Sequence, residues 1–221
     1  MEQKPVIILD FDGTLYSGEH VFDDFPDHIK KYKRDFLPKL SDEQYKQIVK
    51  ENPKWNELIS VSEIIEYMYS FKKKYPKFKI KIKDFYDWQN EHPDPIVLDG
   101  ITLTPSNFLK SLSQNYPTYI VSNSTPNHIL FYMKKFGINP KWFKKIISNR
   151  FIARDRSKKP YFQTVLKKEN CEPKHAFVFG DSLENDINPA EELGINGCLV
   201  TRADLLEKEI NQILKKYNKS L

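Results

Sequence analysis

Short apolar runs alternate along this chain with segments of helical periodicity. The runs lie at residues 6–9, 119–121, 146–147, 176–179 and 198–200. Continuous runs of aliphatic and aromatic residues are typical of strands that are buried on both faces of a parallel sheet. Because helical segments separate these runs, the pattern predicts an α/β fold with a parallel sheet and right-handed crossovers.

Capping residues and prolines indicate where the helices of this fold begin and end. Thr125 is predicted to cap a helix that has Pro126 in its first turn and ends at Gly137. Pro160 is predicted to open a second helix, and residues 189–193 belong to a third. These helices provide the crossover connections that parallel strands require.

The segment from residue 19 to residue 97 breaks this alternation and is predicted to form successive amphipathic helices. Ser41-Asp42-Glu43-Gln44 is a capping-box pattern that opens one of them. Fourteen of the 30 aromatic residues lie in this segment, enough for a small hydrophobic core of its own. We therefore predict a helical domain at 19–97, inserted into a core that is formed by 1–18 and 98–221. The predicted helices cover 24–36, a stretch from 41 onward, 55–59, 62–71 and 84–90.

One stretch of the inserted segment is rich in lysine. Seven of the twelve residues from 72 to 83 are lysines, and Phe78, Ile80 and Ile82 alternate with them. This alternation predicts a strand or an extended edge. Protection of an exposed edge against aggregation is favoured here over electrostatic attraction of phosphates.

The overall charge and the cysteine count narrow the class of protein. The 35 basic and 30 acidic residues leave a net charge of +5, too small an excess to indicate nucleic-acid binding. Neither Cys171 nor Cys198 has a metal-ligand spacing, which favours a reduced intracellular compartment. The apolar run at 6–9 is too short for a signal peptide or a membrane span. We therefore predict a soluble cytoplasmic protein without nucleic-acid or membrane partners, and the sequence leaves its oligomeric state open.

Two carboxylates directly follow the first predicted strand, in the sequence Asp10-Phe11-Asp12-Gly13-Thr14. Alternate residues of an extended chain point the same way, so Asp10 and Asp12 can both face the crevice at the carboxyl end of the sheet. Two carboxylates repel each other there unless a cation is present or one of them is protonated. A turn would explain the Asp-Gly pair, but it would not explain Asp10 at the end of a buried strand.

A second acidic element, Gly180-Asp181-Ser182, follows the strand at 176–179, and Asp186 lies five residues beyond Asp181. If the two strands are neighbours, their carboxylates converge on one spot. Such a site suits a hard divalent cation with oxygen ligands, which would be Mg²⁺. Asp186 has two interpretations, as a metal ligand or as an acid that the N-terminus of a helix favours.

A third element combines the end of one predicted strand with the start of a helix. Ser122 and Asn123 close the strand, and Lys159 precedes Pro160. A hydroxyl, an amide and an ammonium are suited to the oxygens of a phosphoryl group. Lys158 is the alternative to Lys159, since either lysine can turn inward.

The order of these elements closely resembles the motifs of the haloacid dehalogenase-like hydrolase superfamily. The matching motifs are Asp10–Thr14, the apolar strand that ends at Ser122, Lys159 before Pro160, and Gly180-Asp181 with Asp186. The resemblance implies a Rossmann-like core and an α-helical cap at 19–97. It also implies a phosphatase that acts on a small phosphorylated substrate.

The resemblance further implies a role for each residue. It makes Asp10 the nucleophile that forms an aspartyl-phosphate, and Asp12 the general acid and then the base that activates water. Ser122 and Lys159, with Asn123 beside them, would bind the phosphoryl group. The Mg²⁺ ligands would be Asp10, the backbone carbonyl of Asp12, Asp181, and Asp186 either directly or through a water.

Asp12 separates the reactions within this superfamily. Its dehalogenase members lack an acid at this position because a halide leaves without a proton, whereas an alkoxide needs one. Hydrolysis of a phosphate monoester is therefore favoured over cleavage of a carbon–halogen bond. Two alternatives stay open: a sugar-phosphate mutase of the β-phosphoglucomutase type, which shares these motifs, and a non-catalytic binding scaffold, which would be expected to lose a motif acid.

Overall fold

The computed structural model of the protein describes residues 4–18, 40–53, 61–79, 87, 90–92, 98–148 and 157–220. Contacts divide the chain into two compact units. The first consists of Met1–Val21 and Leu98–Leu221, and the second of Phe22–Val97. The first unit contains all the strands found among the described residues.

Seven strands are found in the described part of the chain. Their bounds are β1 Val6–Leu9, β2 Tyr16–Ser17, β3 Thr102–Leu103, β4 Thr118–Ser122, β5 Lys145–Ser148, β6 Ala176–Gly180 and β7 Asn196–Leu199. Five of them form a parallel sheet in the order β5-β4-β1-β6-β7, and β2 pairs with β3 in a separate antiparallel ribbon. This topology confirms the predicted α/β fold with a Rossmann-like sheet.

The position of β1 at the centre of the sheet explains its composition. Strands pair with both of its edges, and its four residues are at most 1% exposed. The edge strand β7 differs from its prediction, since it begins at Asn196 and ends before Val200. Asn196 and Gly197 join it because they pair with β6, which an apolar pattern cannot reveal.

The helices flank the sheet or belong to the inserted segment. Their bounds are α1 Asp42–Glu51, α2 Val61–Lys74, α3 Ser106–Asn115, α4 Pro126–Lys135, α5 Lys159–Glu169, α6 Asn188–Glu191 and α7 Leu206–Ser220. Both predicted ends of α4 are confirmed: Thr125 accepts a hydrogen bond from the His128 backbone N–H, and Gly137 has a φ of +68°. Within the described ranges, no helix combines the length and apolarity needed to cross a membrane.

One face of the sheet packs against α5 and α6. Phe162 and Val165 of α5 and Ala190 of α6 join Ile8 and Val178 in a single buried cluster. Burying a large apolar side chain of this kind contributes about 1.5–3 kcal/mol. The cluster thus fixes the start of α5 against the strands that carry the predicted site residues.

The short ribbon of β2 and β3 joins the two places where the inserted segment leaves and re-enters the first unit. Ser17 pairs with Thr102, and its hydroxyl accepts a hydrogen bond of 2.9 Å from the Ala203 backbone N–H. Thr104 donates to the Ala203 carbonyl at 2.8 Å. Both ends of the insertion are therefore tied to the same turn of the core.

The second unit contains two of the helices predicted for the insertion. The capping box of α1 is confirmed, since Ser41 accepts from the Gln44 backbone N–H and the Gln44 side chain accepts from the Ser41 backbone N–H. Helix α2 confirms the prediction at 62–71. The helices predicted at 24–36 and 55–59 lie outside the described residues. Of the one predicted at 84–90, only Asp87 and Asn90 are described, and both are helical.

The prediction of an extended lysine-rich edge is wrong for residues 72–78. Lys72 to Lys74 complete α2, and Pro76–Phe78 form a turn of 3-10 helix. The Phe78 ring stacks on Phe71 with a centroid distance of 5.7 Å, so it packs back against α2. Proline in a first helical turn lacks only an N–H that would be unpaired there, which favours the turn. Residues 80–83 lie outside the described part of the chain.

Candidate active site

Three adjacent strands bring the predicted site residues to one edge of the sheet. Asp10 follows β1, Ser122 ends β4, and Asp181 follows β6. Because β4 and β6 pair in parallel with the two sides of β1, the three carboxyl ends lie side by side. This edge of an open parallel sheet is where such folds bind their ligands.

A cluster of three carboxylates forms at this edge. Asp10, Asp181 and Asp186 each present an oxygen, and these atoms lie within 4.8 Å of one another. Asp10 and Asp186 are 7% and 1% exposed, whereas Asp181 is open to solvent. Burial raises the pKa of Asp10 and outweighs the opposing charge of Lys158. The negative charges of Asp186 and Asp12 raise the pKa of Asp10 further.

The chemistry of this cluster fits Mg²⁺. Its donors are all carboxylate oxygens, the ligands that a hard divalent cation prefers. Asp10 Oδ1 is buried and already faces one cation, the Lys158 ammonium at 2.7 Å, without a well-directed hydrogen bond. A cation would also reduce the mutual repulsion of the three carboxylates.

Two glycines allow the carboxylates to approach the backbone. A Cβ on Gly13 would lie 2.1 Å from Asp181 Oδ2, and a Cβ on Gly180 would lie 2.3 Å from Asp186 Cγ. Gly13 also has a φ of +73°, which favours glycine on its own. These glycines therefore shape the site through the side chain that they lack.

Gly180→Ala is expected to displace the Asp186 carboxylate, because the new methyl group would overlap it. Overpacking of this kind costs about 1–3 kcal/mol of unfolding free energy, which urea titration measures. We expect catalytic activity to fall with the displaced carboxylate. Gly137→Ala is the control, since it strains the backbone at a φ of +68°, but its new methyl group contacts no other residue and lies in the loop after α4. Equal activity losses in the two variants would contradict this account.

Lys158 neutralises part of the carboxylate cluster. Its side chain is 2% exposed, and its Nζ lies 2.7 Å from Asp10 Oδ1 and 2.6 Å from Asp186 Oδ1. Burial alone would lower the pKa of Lys158, but the two carboxylates outweigh it and raise this pKa above its ordinary value. Lys158 therefore stays charged and holds the two aspartates together.

The structure directs Lys158, and not the predicted Lys159, at the carboxylates. Lys159 is the first residue of α5, its side chain is 38% exposed, and its Nζ pairs with Glu192 at 2.8 Å. Lys158 precedes the helix and points into the site. Successive residues at a helix start point in different directions, so only one of the two lysines can face the carboxylates.

Asp186 contacts both the backbone of its own turn and the buried lysine beside the acidic cluster. Asp186 lies in a turn of π-helix at Leu183–Ile187, and its Oδ2 accepts a hydrogen bond of 3.2 Å from the Ser182 backbone N–H. Its other oxygen faces Lys158 and the acidic cluster. The same carboxylate is thus fixed by the backbone of the turn and available to the site.

Asp12 lies beside this cluster and has a different environment. Its Oδ1 accepts hydrogen bonds from the Tyr16 hydroxyl and from His128 Nε2, the latter at 3.0 Å. Its Oδ2 accepts from the Ser122 hydroxyl at 3.2 Å and from the Ser124 hydroxyl. Four donors therefore surround one carboxylate that offers about four acceptor positions.

These donors decide the charge of Asp12. Burial by itself would raise its pKa, but the hydrogen bond and charge of His128, followed by the Ser124 and Tyr16 hydrogen bonds, outweigh burial and lower the pKa to about 2. Asp12 is therefore ionised in the free protein at neutral pH, whereas burial shifts Asp10 in the opposite direction.

The structure brings the second predicted motif to the same place. Ser122 is 2% exposed, and its hydroxyl also accepts a hydrogen bond of 3.1 Å from the Ser124 backbone N–H. Asn123 lies between them in the loop from β4 to α4 and is partly exposed. The loop thus lies next to Asp12 with hydroxyl groups directed at it.

Sequence reasoning missed three of the four donors to Asp12. Tyr16 lies four residues after Asp12, and Ser124 and His128 belong to the loop and first turn of α4. His128 lies on the buried face of α4 together with Ile129. A polar residue on an apolar helix face indicates a buried hydrogen-bond partner. Nothing local in the sequence connects it with Asp12.

The family of the chain follows from a comparison with protein-family models. The model of the haloacid dehalogenase-like hydrolases matches residues 4–194. The chain belongs to this family. The match covers the elements that carry Asp10, Ser122, Lys158 and Asp181, and none of the curated proteins compared with the chain matches it in sequence.

Solved structures of haloacid dehalogenase-like proteins share the fold of the chain. A family hydrolase from Xanthomonas campestris is 14% identical, with 99% of this chain and 95% of that chain covered and a TM-score of 0.53. A predicted phosphoglycolate phosphatase from Haemophilus somnus is 20% identical, with 91% and 87% covered and a TM-score of 0.53. A phosphatase from Thermococcus onnurineus is 20% identical, with 95% and 97% covered and a TM-score of 0.52. At these identities the likeness establishes the fold alone.

Proposed function

We propose that the protein is a Mg²⁺-dependent phosphatase that hydrolyses small phosphate monoesters through an aspartyl-phosphate on Asp10. The observation that carries this proposal is the meeting of Asp10, Lys158 and two further aspartates at the carboxyl edge of the sheet. Membership of a hydrolase family and the fold shared with proteins named as phosphatases support it.

In the first step Asp10 attacks phosphorus, and the bond between phosphorus and the leaving oxygen breaks. A carboxylate needs no prior activation to accept a phosphoryl group. Lys158 offsets the repulsion between Asp10 and the anionic substrate, and the Ser122 hydroxyl donates to a phosphoryl oxygen. Asp12 supplies the proton that the leaving oxygen needs.

Asp12 becomes an acid only when substrate is present. A phosphoryl group beside it places a like charge near its carboxylate, which raises its pKa. A Ser122 hydroxyl that turns to the substrate no longer stabilises the ionised form, which raises the pKa of Asp12 again. In the second step Asp12 takes a proton from the water that attacks phosphorus, the bond between phosphorus and the Asp10 oxygen breaks, and inorganic phosphate leaves.

The ligands of Mg²⁺ would be Asp10, Asp181, the backbone carbonyl of Asp12, and Asp186 directly or through a water. The bound ion would offset negative charge on the phosphoryl oxygens.

We also propose that residues 19–97 act as the α-helical cap, with 1–18 and 98–221 as the catalytic core, and that the protein is cytoplasmic.

Steady-state turnover of an aryl phosphate with and without Mg²⁺ tests the proposed phosphatase activity. No turnover with Mg²⁺, or equal turnover after chelation, would overturn it.

Mg²⁺ is expected to raise the thermal midpoint of the chelator-treated protein, because it offsets the repulsion among three close carboxylates. At a concentration 100 times its dissociation constant, a ligand of the native state adds about 2.7 kcal/mol of stability. Calorimetry with and without Mg²⁺ measures the shift. Asp181→Asn should reduce it, whereas Asp204→Asn, at an exposed aspartate paired with Arg202, should not. An unchanged shift in Asp181→Asn would remove Asp181 from the metal site.

A further inference from the structure

Each of the two Asp12 carboxylate oxygens accepts two hydrogen bonds, and the two pairs of donors differ in their location. Oδ1 accepts hydrogen bonds from Tyr16 and His128, two residues that are almost completely buried at 0% and 4% exposure. Oδ2 is bound by Ser122 and Ser124, which belong to the loop proposed to bind phosphate. One oxygen thus faces the interior and the other faces the proposed phosphoryl group.

We propose that Tyr16 and His128 are positioning residues that anchor Asp12 through Oδ1, leaving Oδ2 as the oxygen that exchanges the proton with the leaving group. This inference rests on the proposed phosphatase function and specifies how its acid is aimed. Ser122 and Ser124 can turn from Oδ2 to the substrate without breaking the hydrogen bonds of the anchor, because their own hydrogen bonds are to Oδ2.

The anchor is rigid because aromatic neighbours hold both of its rings. Phe11 contacts Tyr16 and His128 edge to face, with centroid distances of 5.5 and 6.3 Å. The Tyr132 ring lies 4.9 Å from His128 and 6.5 Å from Tyr16. Side chains packed in this way cannot follow Asp12 if it rotates, so rotation would leave a buried hydroxyl and a buried imidazole without this acceptor. Each of these hydrogen bonds to a charged carboxylate contributes about 1.5–3 kcal/mol, and their loss opposes the rotation.

The orientation of the Asp12 carboxylate affects the rate most when the leaving group is a strong base and needs a proton to depart. Nitrophenolate is a weak base and leaves without help, whereas phenolate is more basic and relies on a general acid. General acid catalysis contributes about 10²- to 10⁴-fold, and a displacement of about 1 Å can cost 10²-fold. A displaced Asp12 carboxylate should therefore slow the hydrolysis of phenyl phosphate much more than that of p-nitrophenyl phosphate.

The test compares kcat/KM for these two substrates, since this parameter reports the steps up to formation of the aspartyl-phosphate. Tyr16→Phe removes one hydroxyl and keeps the ring contacts. It is expected to lower kcat/KM for phenyl phosphate about ten times more than for p-nitrophenyl phosphate, with KM nearly unchanged. His128→Phe should shift the ratio in the same direction, and His128→Gln, which keeps a donor, should restore part of it.

The background and the control make the result specific. In a background of Asp12→Asn, Tyr16→Phe should change neither rate further, because residues that act through one group are not additive. Tyr119→Phe is the matched control, since it also removes a buried tyrosine hydroxyl from a carboxylate, that of Glu169, and it should leave the substrate ratio unchanged.

Equal losses on both substrates in Tyr16→Phe, or losses that add to those of Asp12→Asn, would overturn the positioning role while the phosphatase stands. Absence of Mg²⁺-dependent turnover by the wild-type protein would overturn the proposed function, and the positioning role with it. Tyr16→Phe decides the question even if His128→Phe fails to fold.

Discussion

Asp10→Asn is expected to abolish the hydrolysis of phosphate monoesters while leaving the protein folded. An amide is a poor nucleophile, and loss of the nucleophile removes the covalent route altogether. We expect kcat/KM to fall by at least about 10⁴-fold, in keeping with the loss of a nucleophile in other covalent enzymes. The fold should persist because Lys158 still pairs with Asp186 and because asparagine has nearly the same volume. Acid-quenched protein analysed by mass spectrometry should carry a phosphoryl group in the wild type and none in Asp10→Asn.

Asp204→Asn provides the control for this result. Asp204 is an exposed aspartate that pairs with Arg202, and an amide there should change neither activity nor phosphoryl labelling. Appreciable turnover by Asp10→Asn, or a labelled protein in which the phosphoryl group lies on another residue, would contradict the assignment of Asp10.

Lys158→Ala is expected to produce the second large effect, on stability as well as on activity. Removing this buried ammonium leaves Asp10 and Asp186 without their counter-charge. Breaking a buried ion pair by deleting one partner costs about 3–5 kcal/mol of unfolding free energy. Loss of a positive charge beside the transferred phosphoryl group should lower kcat by about 10²- to 10³-fold. Urea titration and steady-state kinetics measure the two effects.

Lys159→Ala separates the two neighbouring lysines. Its side chain and that of Glu192 are 38% and 61% exposed, and exposed pairs of this kind contribute about 0–1 kcal/mol. We expect little change in stability or rate. A severe loss of activity in Lys159→Ala together with a mild one in Lys158→Ala would return the phosphate-site role to Lys159.

The sheet and the acidic residues at its edge could be predicted from the sequence because their signals are local. A strand buried on both faces of a parallel sheet is mostly apolar, so the sequence indicates Val6–Leu9 and Ala176–Gly180 as strands. The aspartates that follow these strands are thereby placed at the carboxyl edge of the sheet. The adjacency of β1, β4 and β6 then decides that Asp10, Ser122 and Asp181 meet.

The missing parts of the site depend on directions and long-range contacts that no local pattern encodes. Lys158 and Lys159 are chemically identical, and only the path of the chain into α5 selects the one that turns inward. Tyr16 and His128 reach Asp12 from two different elements, 4 and 116 residues away. In the insertion, Pro76 and the stacking of Phe78 on Phe71 prevail over the alternation of lysines.

The pairing of β2 with β3 has a consequence for how this protein can diversify. Ser17 and Thr102 are cross-strand partners, so the chain departs from the core and returns to it at neighbouring points about 5 Å apart. A core in which the residues that flank an insertion are already neighbours can accept inserted segments of very different lengths, because closing a longer loop adds little entropy cost. The core could therefore exchange residues 19–97 for another module without disturbing the carboxylates of the sheet edge. Under the proposal that residues 19–97 act as a cap, substrate range and bond-breaking chemistry can evolve separately on such a scaffold.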